Sequence, residues 1–205
     1  MKRSIESSPN LGATLSSDLL CLCLDKRDNG CYLYSGGVDG RIHLWYGDER
    51  EPRISFAAHN GRVNSLVIIN QLELLISSGH DGKVKCWDVS RNYDEECCNE
   101  QKEIMSIELL DQRILTMECM NNLNEDQAAK IILGTSSGEL YTLAILQNIN
   151  GTLSMILDET KILIKSEDIC QSIHDLGIIP MSRKEEYAQR IVVAHADGLT
   201  MVNNS

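Results

Sequence analysis

The chain has 205 residues, and 19 Lys and Arg against 30 Asp and Glu leave a net charge of −11 at neutral pH. Its 42% hydrophobic and 24% charged residues fit a globular protein, and a pI near 4.9 disfavours broad electrostatic binding to nucleic acid or anionic membrane. No apolar run reaches the roughly 18 residues of a membrane span, and Met1–Asn10 lacks the apolar stretch of a secretory signal, so neither membrane nor nucleic-acid partners are expected.

Residues 1–10 read as a flexible segment, and short apolar strands follow, with residues 11–15 the nearest candidate for a first outer strand. A strand at 21–24 precedes a hairpin, Ser35–Trp45, turning at Asp39-Gly40. An outer strand at 54–57 and another at 63–69 lead to the buried run Leu74-Leu75-Ile76. The chain then turns at Asp81-Gly82 into the alternating Val84-Lys85-Cys86-Trp87. Asp-Gly favours tight turns because glycine accepts positive φ and aspartate bonds its local backbone. Further strands are expected at 103–109 and 114–119, then a hairpin over Ile131–Leu143 around Gly138. Segment 147–174 offers two candidates for an outer strand, Leu153–Leu157 or Lys161–Ile164. The last hairpin, Ile191–Val202, turns at Asp197-Gly198.

Two stretches match closely, Ser35–Trp45 and Ser77–Trp87, at an offset of 42 residues. Extended upstream without a gap, that offset sets Cys21, Leu24 and Tyr32 opposite Val63, Leu66 and Leu74. The hairpins around Gly138 and Gly198 are weaker copies, and the glycine spacings are 42, 56 and 60. Loops at 121–130 and 182–190 account for the lengthening. Four short strands per repeat, recurring every 40–60 residues, describe an all-β propeller of about four blades. The array covers 11–203, as approximate repeats 11–46, 54–89, 103–146 and 153–203.

These residues resemble the WD40 repeat family. The second copy is the fullest, running from Ala58-His59 through Ser78-Gly79-His80-Asp81-Gly82 to Cys86-Trp87-Asp88. The resemblance implies a hydrogen-bonded tetrad of His59, Ser78, Asp81 and Trp87. The repeat markers are Asp39, Gly40, Trp45, Gly82, Gly138, Asp197 and Gly198. Ser17 stands at the His position of the first copy, Ser137 and Leu143 replace Asp and Trp in the third, and Asn203 occupies the Trp position of the fourth. A narrower likeness joins Ile104–Ile107 and Ile132–Leu140 to blades of echinoderm microtubule-associated-protein-like proteins. It implies, as an alternative, a cytoskeleton-associated subunit or a fragment of a larger propeller protein.

Ser78, His59 and Asp81 also have the composition of a hydrolytic triad, but no G-x-S-x-G elbow accompanies them and the repeat accounts for all three. No phosphate-binding loop, C-x-x-C or paired-histidine metal spacing occurs, so no catalytic, cofactor or metal site is expected. His80, on a turn, is a candidate rim contact. Eight cysteines without a signal sequence suit a reducing cytoplasm, with nuclear or cytoskeletal placement left open. Cys21 and Cys23 share a strand face as small hydrophobes, and Cys97 and Cys98 sit in an acidic loop that blunts thiol reactivity. The expected function is a non-enzymatic scaffold for protein or peptide partners. Four repeats are few for a ring, so a fragment is expected, with an arc completed by another chain, self-association through open sheet edges or a rare four-bladed ring as further readings.

Overall fold

Short apolar runs of strand length, some alternating with polar residues and some apolar on both faces, produce fifteen strands among the described residues, with glycine turns between several of them. The structure, a computed structural model, describes residues 17–26, 32–47, 49–90, 101–109, 112–120, 129–163, 172–180, 189–195 and 198–203. Residues 1–10 and 11–15, Cys97, Cys98 and Asp197 therefore lie outside the described residues.

The strands form four antiparallel sheets in chain order. The first holds β1 (Leu19–Asp25), β2 (Tyr32–Gly37), β3 (Arg41–Tyr46) and β4 (Ile54–Ala57). The second holds β5 (Val63–Ile69), β6 (Leu74–Gly79), β7 (Lys83–Asp88) and β8 (Glu103–Glu108). The third holds β9 (Ile114–Met120), β10 (Ala129–Thr135), β11 (Glu139–Gln147) and β12 (Leu153–Leu163). The fourth holds β13 (Ile173–Pro180), β14 (Gln189–His195) and β15 (Gly198–Asn203). The two outer-strand candidates in 147–174 prove to be largely one strand, β12, whose register shifts where it passes Leu140–Thr142.

Sheets and sequence repeats are out of step by one strand. Residues 54–57, read as the start of the second repeat, pair with β3 of the first sheet, and 103–108 pair with β7 of the second. Each repeat thus lends its first strand to the sheet before it. Neighbouring inner strands pack in the order β1, β5, β9, β13. Side chains also bridge β5 and β9: Asn64 Nδ2 donates to the Ile114 carbonyl at 2.7 Å, and the Met117 N–H donates to Ser65 Oγ at 3.1 Å.

Three hydrophobic cores lie between consecutive sheets. The inward side of the first sheet (Tyr34, Ile42, Leu44, Phe56) meets Leu66, Leu75 and Trp87 of the second. Ile76, Val84 and Cys86 of the second meet Met117, Ile131 and Leu143 of the third. Met120, Ile132 and Leu140 of the third meet Leu176, Ile191 and Val193 of the fourth. Among the described residues the four sheets do not close into a ring.

Strand pairing corrects the repeat alignment in two places. Ser65 pairs with Ser78, and Cys21 pairs with Gly36, so the first-strand offset is 44 rather than 42, with two extra residues in the 26–31 connection. Cys21 thus corresponds to Ser65, and the residue matching His59 becomes Leu15, outside the described residues, rather than Ser17. In the fourth sheet Val202 pairs with Ile191 just as Trp87 pairs with Leu75, so Val202 and not Asn203 takes the tryptophan position. The last hairpin is one residue shorter at its turn, and a one-residue shift exchanges the two faces of a strand.

Gly40, Gly82 and Gly138 have φ of +77°, +74° and +80°, and each N–H donates to the carbonyl three residues back at 3.3 Å. The Gly40 carbonyl in turn accepts from Ala58 and His59 N–H at 2.9 and 3.0 Å, tying the hairpin turn to the linker that enters the second sheet. A Cβ on Gly40 would stand 2.3 Å from the His59 carbonyl oxygen, whereas one on Gly47, at φ +55°, would meet nothing within 4 Å. Gly47→Ala is expected to carry only the left-handed backbone cost, about 1–2 kcal/mol, and Gly40→Ala about 2–5 kcal/mol because a fixed backbone atom must also move. Urea unfolding of the two variants checks the ranking.

Candidate functional site

In the second sheet one strand face carries Leu75 and Ser77 on β6 beside Trp87 and Lys85 on β7. The linker after β4 lays His59 against this face. Trp87 Nε1–H donates to Ser77 Oγ at 2.8 Å, Ser77 Oγ lies 2.7 Å from His59 Nε2, and His59 Nδ1 lies 3.0 Å from Asp81 Oδ1. One proton arrangement satisfies every group: the indole donates to the hydroxyl, the hydroxyl to Nε2, and Nδ1–H to the carboxylate. Asp81 also accepts from the backbone N–H of Asn60 at 3.0 Å and of Lys83 at 3.2 Å. Phe56, from the outer strand of the first sheet, packs on the Trp87 ring at 4.9 Å between centroids.

The serine in this network is Ser77, correcting the expected Ser78. Side chains alternate along β6, so Ser78 faces the opposite core with Val84, and its Oγ is buried without a hydrogen-bond partner. Ser77 could have been found from pleat parity: it lies two residues from Leu75, the cross-strand neighbour of Trp87. His59, Asp81 and Trp87 are brought together around it.

The other repeats keep part of this arrangement. In the first sheet Trp45 Nε1–H donates to Ser35 Oγ at 2.7 Å, Asp39 Oδ1 accepts from Arg41 N–H at 3.1 Å, and Ser17 Oγ accepts from Asp39 N–H at 3.3 Å. His43, on the same face as Ser35, is buried with neither ring nitrogen hydrogen-bonded. In the third sheet Leu143 is fully buried, and the turn is held by Thr135, Glu139 and Ser137, whose hydroxyl donates to Gln112 Oε1 at 2.6 Å. Gly198 has φ +146° in the fourth hairpin.

Ser77, His59 and Asp81 have the distances of a hydrolytic triad, yet Ser77 is fully buried and its oxygen already accepts the Trp87 N–H. Burial lowers the His59 pKa from the usual histidine value and outweighs the opposing pull of Asp81. Burial works against the Asp81 charge, but the Asn60 N–H, His59 and the Lys83 N–H together hold its carboxyl below the usual range. A neutral His59 is what the proton arrangement requires, because a protonated Nε2 would leave the Ser77 hydroxyl without an acceptor.

At the other end of the inner strands a concavity of about 480 Å³ is lined by residues including Leu22, Leu24, Ile68, Glu118 and Met120. Burial, and then the Asp175 charge, push the Glu118 carboxyl upward. Among the described residues no group of three or more His, Cys, Asp or Glu is placed to hold a metal ion. Cys21, Cys23, Cys86 and Cys119 are free thiols. Burial pushes Cys21 and Cys86 to about 12, and Cys23 and Cys119 to about 11, which suppresses the reactive thiolate.

Ser77→Ala is expected to cost about 1–3 kcal/mol, leaving the indole N–H and His59 Nε2 buried and unpaired, while Ser78→Ala is near neutral or stabilising because it removes an unsatisfied hydroxyl. Chemical denaturation of both variants reads the difference directly. A histidine with a lowered folded pKa contributes stability that is full above about pH 6.5 and declines as pH falls below it; Asp81 adds a further loss below its unfolded value near 4. Thermal midpoints are therefore expected to fall from pH 7 to pH 5, and less steeply in His59→Asn.

The family profile described as "WD domain, G-beta repeat" matches residues 11–46 and 50–88. A "U3 snoRNP-associated protein-like EMB2271" from Arabidopsis thaliana is 37% identical over 98 residues, a stretch covering 47% of this chain and 20% of that protein. The chain spans about a fifth of the length of such relatives. Two solved structures share the fold: the "Mitotic Checkpoint Complex", with TM-score 0.65, 15% identity and coverage of 93% of this chain and 50% of that one, and the "C-Terminal WD40 Domain Of Sif2", with TM-score 0.61, 18% identity and coverage of 89% and 45%. Residues 11–46 and 50–88 match the WD40 repeat, and the four sheets together have the fold of β-propeller blades.

Proposed function

We propose that this chain is a non-enzymatic scaffold that holds protein partners on the rim formed by its hairpin turns and inter-sheet linkers. One observation carries the reading: the Ser77–His59–Asp81 constellation is sealed inside a blade and occupied by Trp87, while charged side chains on the same rim stay exposed. Rim loops on a rigid propeller present binding groups without chemistry of their own.

The basic part of this rim is local. His80 lies in the second hairpin turn, and its N–H donates to the Arg62 carbonyl at 2.9 Å. Ser136 N–H makes the matching bond to the Arg113 carbonyl at 2.9 Å. Arg62 and Arg113 are both exposed; burial, then Arg113 and Arg62, depress the proton affinity of His80. On a chain of net charge −11 this cluster favours partner segments bearing acidic side chains. A reducing intracellular compartment accords with the four free thiols.

Two measurements test the proposal. A serine-directed fluorophosphonate probe is expected to leave the chain unlabelled; labelling that disappears in Ser77→Ala would establish a hydrolase instead. Partners co-purified with the tagged chain are expected to fall at least tenfold, about 1.4 kcal/mol, on Arg62→Glu with Arg113→Glu at unchanged melting temperature. Undiminished capture would remove the rim from the contact.

A further inference from the structure

Three backbone segments are tied together on the rim between the second and third sheets. The His80 N–H donates to the Arg62 carbonyl at 2.9 Å, and the Leu109 N–H donates to the Gly82 carbonyl at 3.0 Å. The second hairpin turn is thereby fastened to the linkers on either side of it. Asn64, two residues after Arg62, donates to the carbonyl of Ile114, the residue after Arg113, at 2.7 Å. Arg62 and Arg113 therefore stand at matching positions on adjoining sheets, both exposed, and the charges of both act on His80. His80 Nδ1 is enclosed and has no hydrogen-bond partner. An unpaired N–H buried there would be costly, so the ring proton belongs on Nε2, the nitrogen left to a ligand. The carboxylate that acts on His80 is Asp81, and its oxygens already accept from His59 and from the Asn60 and Lys83 N–H groups.

Given the rim as the partner surface, a reading on which this one rests, we propose that Arg62, His80 and Arg113 bind a single phosphoryl group. Its carrier is a phosphoserine or phosphothreonine of a partner protein. A carboxylate brings one charge and two coplanar oxygens, whereas a phosphate monoester brings about −1.5 to −2 charges and three acceptor oxygens at pH 7. Two guanidinium forks and an imidazole N–H, each held by a different segment, match the second set and exceed the first. The basic strip is also short. At the same position in the first sheet stands Asp18, whose carbonyl accepts the Val38 N–H at 2.9 Å, so the sign of the charge reverses one sheet away. A nucleic-acid backbone, charged at every nucleotide, would meet Asp18 and a net charge of −11, whereas one phosphoryl group needs only the two arginines.

Phenyl phosphate and phenylacetate, titrated into the 205-residue chain at about pH 7.5, where the monoester is mostly a dianion, separate phosphoryl from carboxylate. NMR of the histidine and arginine side chains reads the binding. Phenyl phosphate is expected to shift the His80 and arginine Nε signals saturably and to bind at least about tenfold more tightly than phenylacetate. Arg62→Gln and Arg113→Gln, both at exposed positions, are each expected to weaken it about tenfold with circular dichroism unchanged. Equal affinity for the two probes, or a phosphate response that survives both substitutions, would overturn the phosphoryl site. Phosphatase treatment is expected to release partners captured by the tagged chain. Capture that needs the arginines but survives phosphatase keeps the rim as the partner surface and overturns the phosphoryl site; capture indifferent to the arginines removes both. Single-stranded RNA held through the arginines more tightly than a phosphoserine peptide would also overturn the assignment.

Discussion

A β-sheet built from strands with apolar residues on both faces cannot stand alone, and everything in this molecule follows from that constraint. Each blade is only three or four strands wide, too small to hold a core of its own, so its apolar faces are buried by the sheets before and after it. Stability is accordingly a chain of nearest-neighbour contacts, as in other repeat architectures. The inner strands β1, β5, β9 and β13 fix the order of stacking, and the hydrogen bonds from Asn64 and to Ser65 key the second blade to the third.

Within that stack the polar network of the second blade serves packing. Trp87 fills the face turned to the preceding sheet, against Phe56, and an indole N–H so placed needs an acceptor away from water. Ser77 supplies it, His59 accepts the Ser77 proton, and Asp81 anchors His59 while gathering backbone N–H groups from the linker and the turn. The first blade retains the Trp45–Ser35 half of the arrangement; the third abandons it for Leu143. Where the network is absent a plain apolar side chain fills the volume, as it does at Val202 in the fourth blade.

The all-β repeat, the hairpin glycines and the strand positions were legible because each depends on local chemistry: glycine at positive φ, and aliphatic runs of strand length. The network serine is Ser77 rather than Ser78 because pleat parity decides which hydroxyl shares the face of Trp87, and parity is a property of pairing with β7 that family spacing does not carry. Likewise the two extra residues before Tyr32 and the one fewer before Gly198 fall between paired strands, where length changes leave no mark on the apolar pattern. The faces turned to the preceding and to the following sheet could not be told apart at all from one strand, because both are apolar; only register across neighbouring sheets separates Leu22 from Cys21.

The one-strand stagger between repeat and sheet means that the unit of heredity is not the unit of folding. A duplicated repeat brings a strand that belongs to its neighbour, as 54–57 belongs with β3 and 103–108 with β7. A newly inserted copy is therefore stitched to the older molecule on both sides from the moment it appears. A copy cut at sheet boundaries would be joined only by its connecting loops. Growth by repeats carries its own seam, and lengthening such an arc tightens it as well.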